Sequence, residues 1–245
     1  VSDEAKTRLQ RLIPDAAKVI QTNGRLSDDA PVLPCNDSDL EELRTSFAGR
    51  PVWVAAHLQL SELPIVLDAF RKVLRVSHRM VLVVVPAQGS VAKNFSDMIA
   101  QQHWRAAFWE DGEIPDDNTQ IVVTEGPQEL GLWYRIAPIS FVGSSLANGH
   151  GGRDPLVAAG LGSAVIHGPN MQQFKESYDR LMRMDAAIVV KDLETLTNAV
   201  SRLTAAEKVA AMAHGGWLAI AEAADVSNRV IQKSNELLDG SEDLE

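Results

Sequence analysis

Gly149-His-Gly-Gly-Arg-Asp-Pro-Leu-Val-Ala-Ala-Gly160, followed by Ser163-Ala-Val-Ile-His167 and Gly168-Pro-Asn170, reads as a glycine-rich loop opening a helix, then a short buried strand and a second turn. In an α/β domain this order aims the N–H groups of a helix start at a phosphate or a carboxylate. Glycine is also favoured in any turn where φ is positive, so these residues alone serve an anion-binding loop and an ordinary strand-to-helix turn equally.

The same alternation extends outward. Val52 to Ala56 is a short apolar run, and Leu63, Val66, Leu67, Phe70, Val73 and Leu74 then mark one helix face by their spacing of three and four. Met80 to Val85 has no polar alternation, as in a central parallel strand covered on both faces, and Pro86 ends it. Gln120 to Val123, Ile139 to Val142, Ser163 to His167 and Ala186 to Val190 are further strand candidates, with helical segments after most of them. The pattern predicts an α/β fold with a Rossmann-like, doubly wound parallel sheet.

Toward the start, Asp3 to Ile13 reads as an amphipathic helix stopped by Pro14, and Ala17 to Gln21 as a short strand ended by Asn23-Gly24. Leu26 to Asn36 has little periodicity and reads as a linker, which sets the expected domain boundary: residues 1–36, then residues 37–245. Starting at Val1, the chain reads as an excised fragment. Ala205 to Leu238 is alanine-rich and helical, with a break or bend expected at Gly215-Gly216, before a solvated acidic run from Asp239 to Glu245.

With 245 residues, 45% of them hydrophobic, the chain can bury one sizeable core. Its 33 acidic and 23 basic residues give a net charge of −10, which argues against nucleic acid or anionic lipid as a bulk partner. The single cysteine, Cys35, excludes a disulfide framework and a cysteine zinc cluster, and favours a reducing cytosolic compartment. No apolar run reaches the roughly 18 residues of a membrane-spanning helix. No cluster suggests a metal, no cofactor is implied, and an NAD-type domain would need a Gly-x-Gly-x-x-Gly after the first strand.

In an open parallel sheet, ligands bind beyond the carboxyl ends of the strands, which selects four turns: His57 to Glu62, Pro86 to Ser90, Glu125 to Leu130, and Gly149 to Val157. Their surroundings resemble a known family. Glu129-Leu-Gly-Leu-Trp-Tyr-Arg-Ile-Ala137, Ser140-Phe-Val-Gly-Ser-Ser-Leu146, and Gly151-Gly-x-x-Pro-Leu156 through Gly168-Pro169 are together similar to the C-terminal half of the 3-deoxy-D-manno-octulosonic acid (Kdo) transferases, two-domain GT-B glycosyltransferases. The resemblance implies that residues 1–36 are the remnant of an N-terminal acceptor domain with its linker, and that residues 37–245 bind the nucleotide sugar. It further implies CMP-Kdo or CMP as ligand and transfer of Kdo to lipid A precursor at the cytoplasmic face of the inner membrane. By position, the nucleotide would meet Pro86, Ala87 and Gln88, then Gln128, Glu129 and Leu130, and the loop Gly151, Gly152, Arg153, Asp154, Pro155, Leu156 and Val157. Glu62, Gly168 and Asn170 would belong to the donor-site loops.

Departures from the family pattern accompany these matches. The family's phosphate-pairing arginine is Ala87, and its sugar-holding carboxylate is Val157. Loss of each charged hydrogen bond costs about 1.5–3 kcal/mol. Arg153, standing where the family has histidine, offers a replacement charge. The catalytic glutamate of the family lies in its N-terminal domain and matches nothing in this chain, so no catalytic residue is expected here and the chain alone should not transfer sugar. A non-catalytic relative that has lost donor binding is the alternative. His57 and His167 follow apolar strands and read as scaffold, as do Trp104, Trp109, Trp133 and Tyr134.

Overall fold

A computed structural model describes residues 3–12 and 33–242. The chain divides into two compact units, residues 1–30 with 218–245, and residues 31–217. In the first, α1 (Asp3–Leu12) is described, together with the last part of a long C-terminal helix. The strand expected at Ala17 to Gln21 lies outside the described residues.

The second unit holds a seven-stranded sheet, every neighbouring pair parallel. Its strands are β1 (Val52–Leu58), β2 (Val81–Pro86), β3 (Ala106–Phe108), β4 (Ile121–Val123), β5 (Ile139–Val142), β6 (Ala164–His167) and β7 (Ala187–Val189), in the order β3-β4-β2-β1-β5-β6-β7. Six of these strands coincide with the expected ones to within two residues at either end. β3 was not anticipated, because three residues at a sheet edge carry too little pattern to be seen.

The helices alternate with the strands: α2 (Asp37–Phe47), α3 (Leu63–Val73), α4 (Ala92–Gln101), α5 (Leu130–Ile136), α6 (Leu156–Gly160), α7 (Lys175–Arg183), α8 (Leu193–Arg202) and α9 (Ala206–Glu242). On α3 the predicted face is the buried one: Leu63, Val66, Leu67, Phe70 and Val73 lie against β1 and β2, and Phe70 tilts against Trp53 at 6.2 Å. α2 follows the expected boundary directly. Asn36 caps it by accepting the Ser38 N–H at 3.0 Å, and Leu40, Leu43 and Phe47 bury one stripe. At the amino end of the sheet, buried Arg50 donates to the carbonyls of Arg79, Asp116 and Thr119, gathering the turns that lead into β2 and β4.

The break expected at Gly215-Gly216 does not occur, and α9 runs through both residues. Glycine serves close packing here: a Cβ on Gly215 would stand 2.2 Å from the Met184 carbonyl oxygen, and one on Gly216 3.2 Å from the Ala159 side chain. In an open helix interior Gly→Ala gains roughly 1 kcal/mol. Gly215→Ala is expected to do the opposite and cost about 2–3 kcal/mol, because backbone must be displaced, and urea denaturation measures the sign.

Candidate functional site

The chain builds β2, β3 and β4 on one side of β1 and then returns to place β5 on the other. The gap between the ends of β1 and β5 is therefore the topological switch point, where an open α/β sheet leaves a crevice. Because all strands are parallel, the four turns singled out above lie at this same carboxyl end.

The Glu62 side chain spans the crevice and makes the most bonds across it. Glu62, 2% exposed, directs its carboxylate from the β1–α3 turn into the turn after β5. Its Oε2 accepts from the N–H of Gln59 (3.0 Å) and Ser144 (2.7 Å), and its Oε1 from those of Ser145 (3.0 Å), Leu146 (2.8 Å) and Ala147 (3.0 Å). Four consecutive backbone donors form a concave nest of the kind that binds anions, and here the anion is the protein's own carboxylate.

Further bonds fix the turn. The Ser144 hydroxyl donates to the His57 carbonyl and accepts from Gln59 Nε2, both at 2.8 Å. Ser145 Oγ donates to the Val142 carbonyl and accepts from the Gly168 N–H at 2.7 Å. The Gly152 N–H reaches the Ser144 carbonyl at 2.9 Å, and Asn170 donates its own N–H to Ser145 O and its amide to Leu146 O. Gly152 has φ +80°, and a Cβ there would stand 2.9 Å from the Asn170 carbonyl. The structure thus brings Glu62, Gly152, Gly168 and Asn170 together around Ser144 and Ser145. These two serines, with Gln59, are the hub that sequence reasoning missed; the small residues directly after an apolar strand were the available signal.

His57 (φ 54°) and Ser144 (φ 57°) are both in the left-handed region, facing one another across the crevice. Such strain in non-glycine residues persists only where surrounding structure holds it. Burial, with the Arg153 guanidinium nearby, lowers the His57 pKa to about 4. Burial likewise lowers the pKa of His167, whose Nδ1 lies 2.7 Å from the Gly168 carbonyl and whose ring packs on Tyr178. The scaffold reading of both histidines is consistent with these surroundings.

In the Gly149 to Val157 loop, Arg153 turns Nη1 to the Gly152 carbonyl at 2.9 Å, and its own carbonyl receives the Tyr178 hydroxyl at 2.8 Å. Asp154 accepts the Leu156 N–H, Pro155 and Leu156 are buried, and Val157 is half-buried. In the turn after β2, Pro86 is buried, half-buried Ala87 bonds by its N–H to the Leu58 carbonyl, and Gln88 is exposed. Leu130 is buried.

Gln128 and Glu129 line a hollow of about 320 Å³ with Pro34, Asn36 and Asp39, away from the Glu62 hub. Glu129 accepts the Trp109 indole N–H at 2.6 Å; burial raises its pKa, against the effect of that bond. Among the described residues no cluster of metal-ligating side chains occurs. No described helix is long and apolar enough to cross a membrane.

Two outcomes follow. Glu62→Ala leaves a buried nest of donors unpaired and is expected to cost about 3 kcal/mol or more in urea unfolding. His57, ordinarily near 6.5, holds a proton more weakly when folded; the stability this confers above pH 6.5 is lost as pH falls toward 4, by about 3 kcal/mol. His57→Asn keeps the left-handed backbone and is expected to abolish most of that loss, read as the difference in unfolding free energy between neutral and acid pH.

No family model matches the chain. It is 30% identical over 166 residues to the 3-deoxy-D-manno-octulosonic acid transferase of Haemophilus influenzae, which covers 67% of this chain and 39% of that protein. To the enzyme of the same name from Rickettsia felis it is 24% identical over 171 residues, 70% of this chain and 36% of the relative. The matches thus span well under half of these relatives' length. Among solved structures, the C-terminal CMP-Kdo binding domain of WaaA from Acinetobacter baumannii superposes with a TM-score of 0.62, at 21% identity, over 77% of this chain and 96% of that domain. The C-terminal domain of the glycosyl transferase LpcC from Francisella tularensis does so with a TM-score of 0.53, at 14% identity, over 80% and 97%.

Proposed function

We propose that this chain, which is a divergent relative of the Kdo transferases with the fold of their C-terminal, GT-B-type domain, binds CMP-Kdo at the carboxyl end of its sheet. The supporting observation is the crevice between β1 and β5, whose walls are locked by Glu62 so that the Gly151–Val157 loop stands over the switch point. A pre-formed loop loses little entropy on binding, which favours grip on a small polar ligand. Arg153 is the only Lys or Arg in the four turns, and at neutral pH His57 adds no charge, so Arg153 is assigned to the donor's phosphate or carboxylate.

In this reading residues 1–36 carry the end of an acceptor domain and the linker, and residues 37–245 the donor-binding domain. The general base and the lipid A precursor site belong to the acceptor domain, so this chain alone transfers no sugar. The complete protein would add Kdo to lipid A precursor in lipopolysaccharide synthesis at the cytoplasmic face of the inner membrane. Ala87 and Val157 favour a second reading, a non-catalytic relative that has lost the donor.

Titration calorimetry with CMP and CMP-Kdo separates the two. The first reading expects saturable binding of CMP-Kdo, weakened at least about tenfold by Arg153→Ala. Absence of heat at millimolar ligand in the folded chain establishes the second.

A further inference from the structure

The opposite end of the sheet has a different charge. Between Arg71 and Arg105 stand six lysines and arginines and a single acid, Asp97, in a chain whose net charge is −10. Five of these cations converge on the amino end of the sheet. Arg71 and Lys72 occupy the last turn of α3, Arg75 follows it, Arg79 precedes β2 and Arg105 precedes β3. All five are exposed, as are His78 and His103 beside them. Among the described residues none of the five forms an ion pair with a carboxylate.

The patch has an apolar centre. Val76, 72% exposed, sits at the tip of the α3–β2 turn, held there by the bond from its N–H to the Val73 carbonyl and by that from Met80 N–H to Ser77 O. Beside it, Arg71 lies 5.0 Å over the ring of half-buried Trp104 and bonds Gln102, in an open cleft that Arg75, His103 and Gln120 complete. The acids in turns that enter strands at this end are Asp116 and Asp117 before β4 and exposed Asp185 before β7, beside the edge strand on the far side of the sheet. Asp116 is engaged by Asn118 and Thr119, and Asp116 and Asp117 both act on buried Arg50.

We propose that this amino-end face docks on an anionic phospholipid surface. The cations surround an exposed apolar tip rather than converging on a point, which suits a plane of phosphate headgroups with a valine entering the interface better than a single small anion. Trp104 is covered by Arg71, so no aromatic platform is offered to bases. The seven residues of β1 place the crevice about 23 Å from this face, so docking leaves the opposite end open. The expectation from net charge, that anionic lipid is no partner, is thereby replaced locally: the charge is segregated. The inference is independent of the donor reading.

Co-sedimentation of the full chain with vesicles of phosphatidylcholine, with and without phosphatidylglycerol, tests it. Binding is expected only with the anionic lipid and is expected to fall with added salt. Arg75→Glu with Arg79→Glu should weaken it at least about 25-fold, at roughly fivefold per cation, and Val76→Asp should weaken it as well. Lys175→Glu with Lys191→Glu, the same charge change at the other end, should leave it intact. Circular dichroism verifies folding of each variant, and the lipid and salt dependence of the unmodified chain decides the matter without any variant. Equal binding to neutral vesicles overturns the proposal, as does retention by the Arg75/Arg79 variant. Full competition by equimolar inorganic phosphate would make this a small-anion site instead, and tighter binding to duplex DNA than to vesicles would make it a nucleic-acid face.

Discussion

The carboxylate of Glu62 is the tie on which the carboxyl end of the sheet depends. β1 and β5 are neighbours in space, yet the chain between them runs out through three other strands, and Glu62 and Ser144 are 82 residues apart. A parallel sheet has no hairpin to close such a gap. Five backbone N–H groups meeting one buried carboxylate supply the closure and satisfy donors that would otherwise be buried without a partner. The bonds of Ser144, Ser145, Gly152, Gly168 and Asn170 are built on the turn that this carboxylate holds.

That arrangement constrains how a ligand is gripped. The nest after β5 is filled by the protein's own charge, so its donors are withdrawn from any bound phosphate. On the proposed reading, anion recognition would fall to the loop from Gly151 to Val157, whose sole cation is Arg153. The left-handed backbone at His57 and Ser144 lies beneath this loop, and the Ser144 hydroxyl bonded to the His57 carbonyl joins the two strained residues directly. Ala48, His103 and Asp185 are left-handed elsewhere, outside the strands; at the crevice the left-handed residues sit at the two strand ends that must approach one another, where β1 shifts its register with β2 between Ala55 and Leu58 while β1 and β5 stay in step.

Much of this was legible in residue order. The apolar run Met80 to Val85 and the spacing along α3 carry the parallel sheet because period and burial are local properties of a sequence. Glu62 was found by position, yet its role was hidden: a bond between one side chain and a backbone turn far along the chain leaves no periodic trace. Gly215 failed for a related reason. Glycine marks either a break or a close approach, and only the facing Met184 carbonyl distinguishes them. Gln128 and Glu129 sit in a hollow of their own with Asn36 and Asp39 because the single 3₁₀ turn Pro127–Glu129 brings them back toward the start of α2, a direction no spacing encodes.

The polarity of a parallel sheet also organises charge. Each crossover helix runs back against the strands, so helix carboxyl ends collect at the strands' amino end, where partial negative charge favours cations. Arg44, Arg71, Lys72, Arg135, Arg183 and Arg202 all occupy last turns in this way. The dipole accounts for those positions and would place such residues in many proteins of this architecture. It does not account for Arg75, which lies beyond α3, or for Arg79 and Arg105, which stand in turns that enter strands. Three exposed cations beyond what the helices call for, set around an exposed valine in an acidic chain, separate a basic face made by secondary structure alone from one made for a surface.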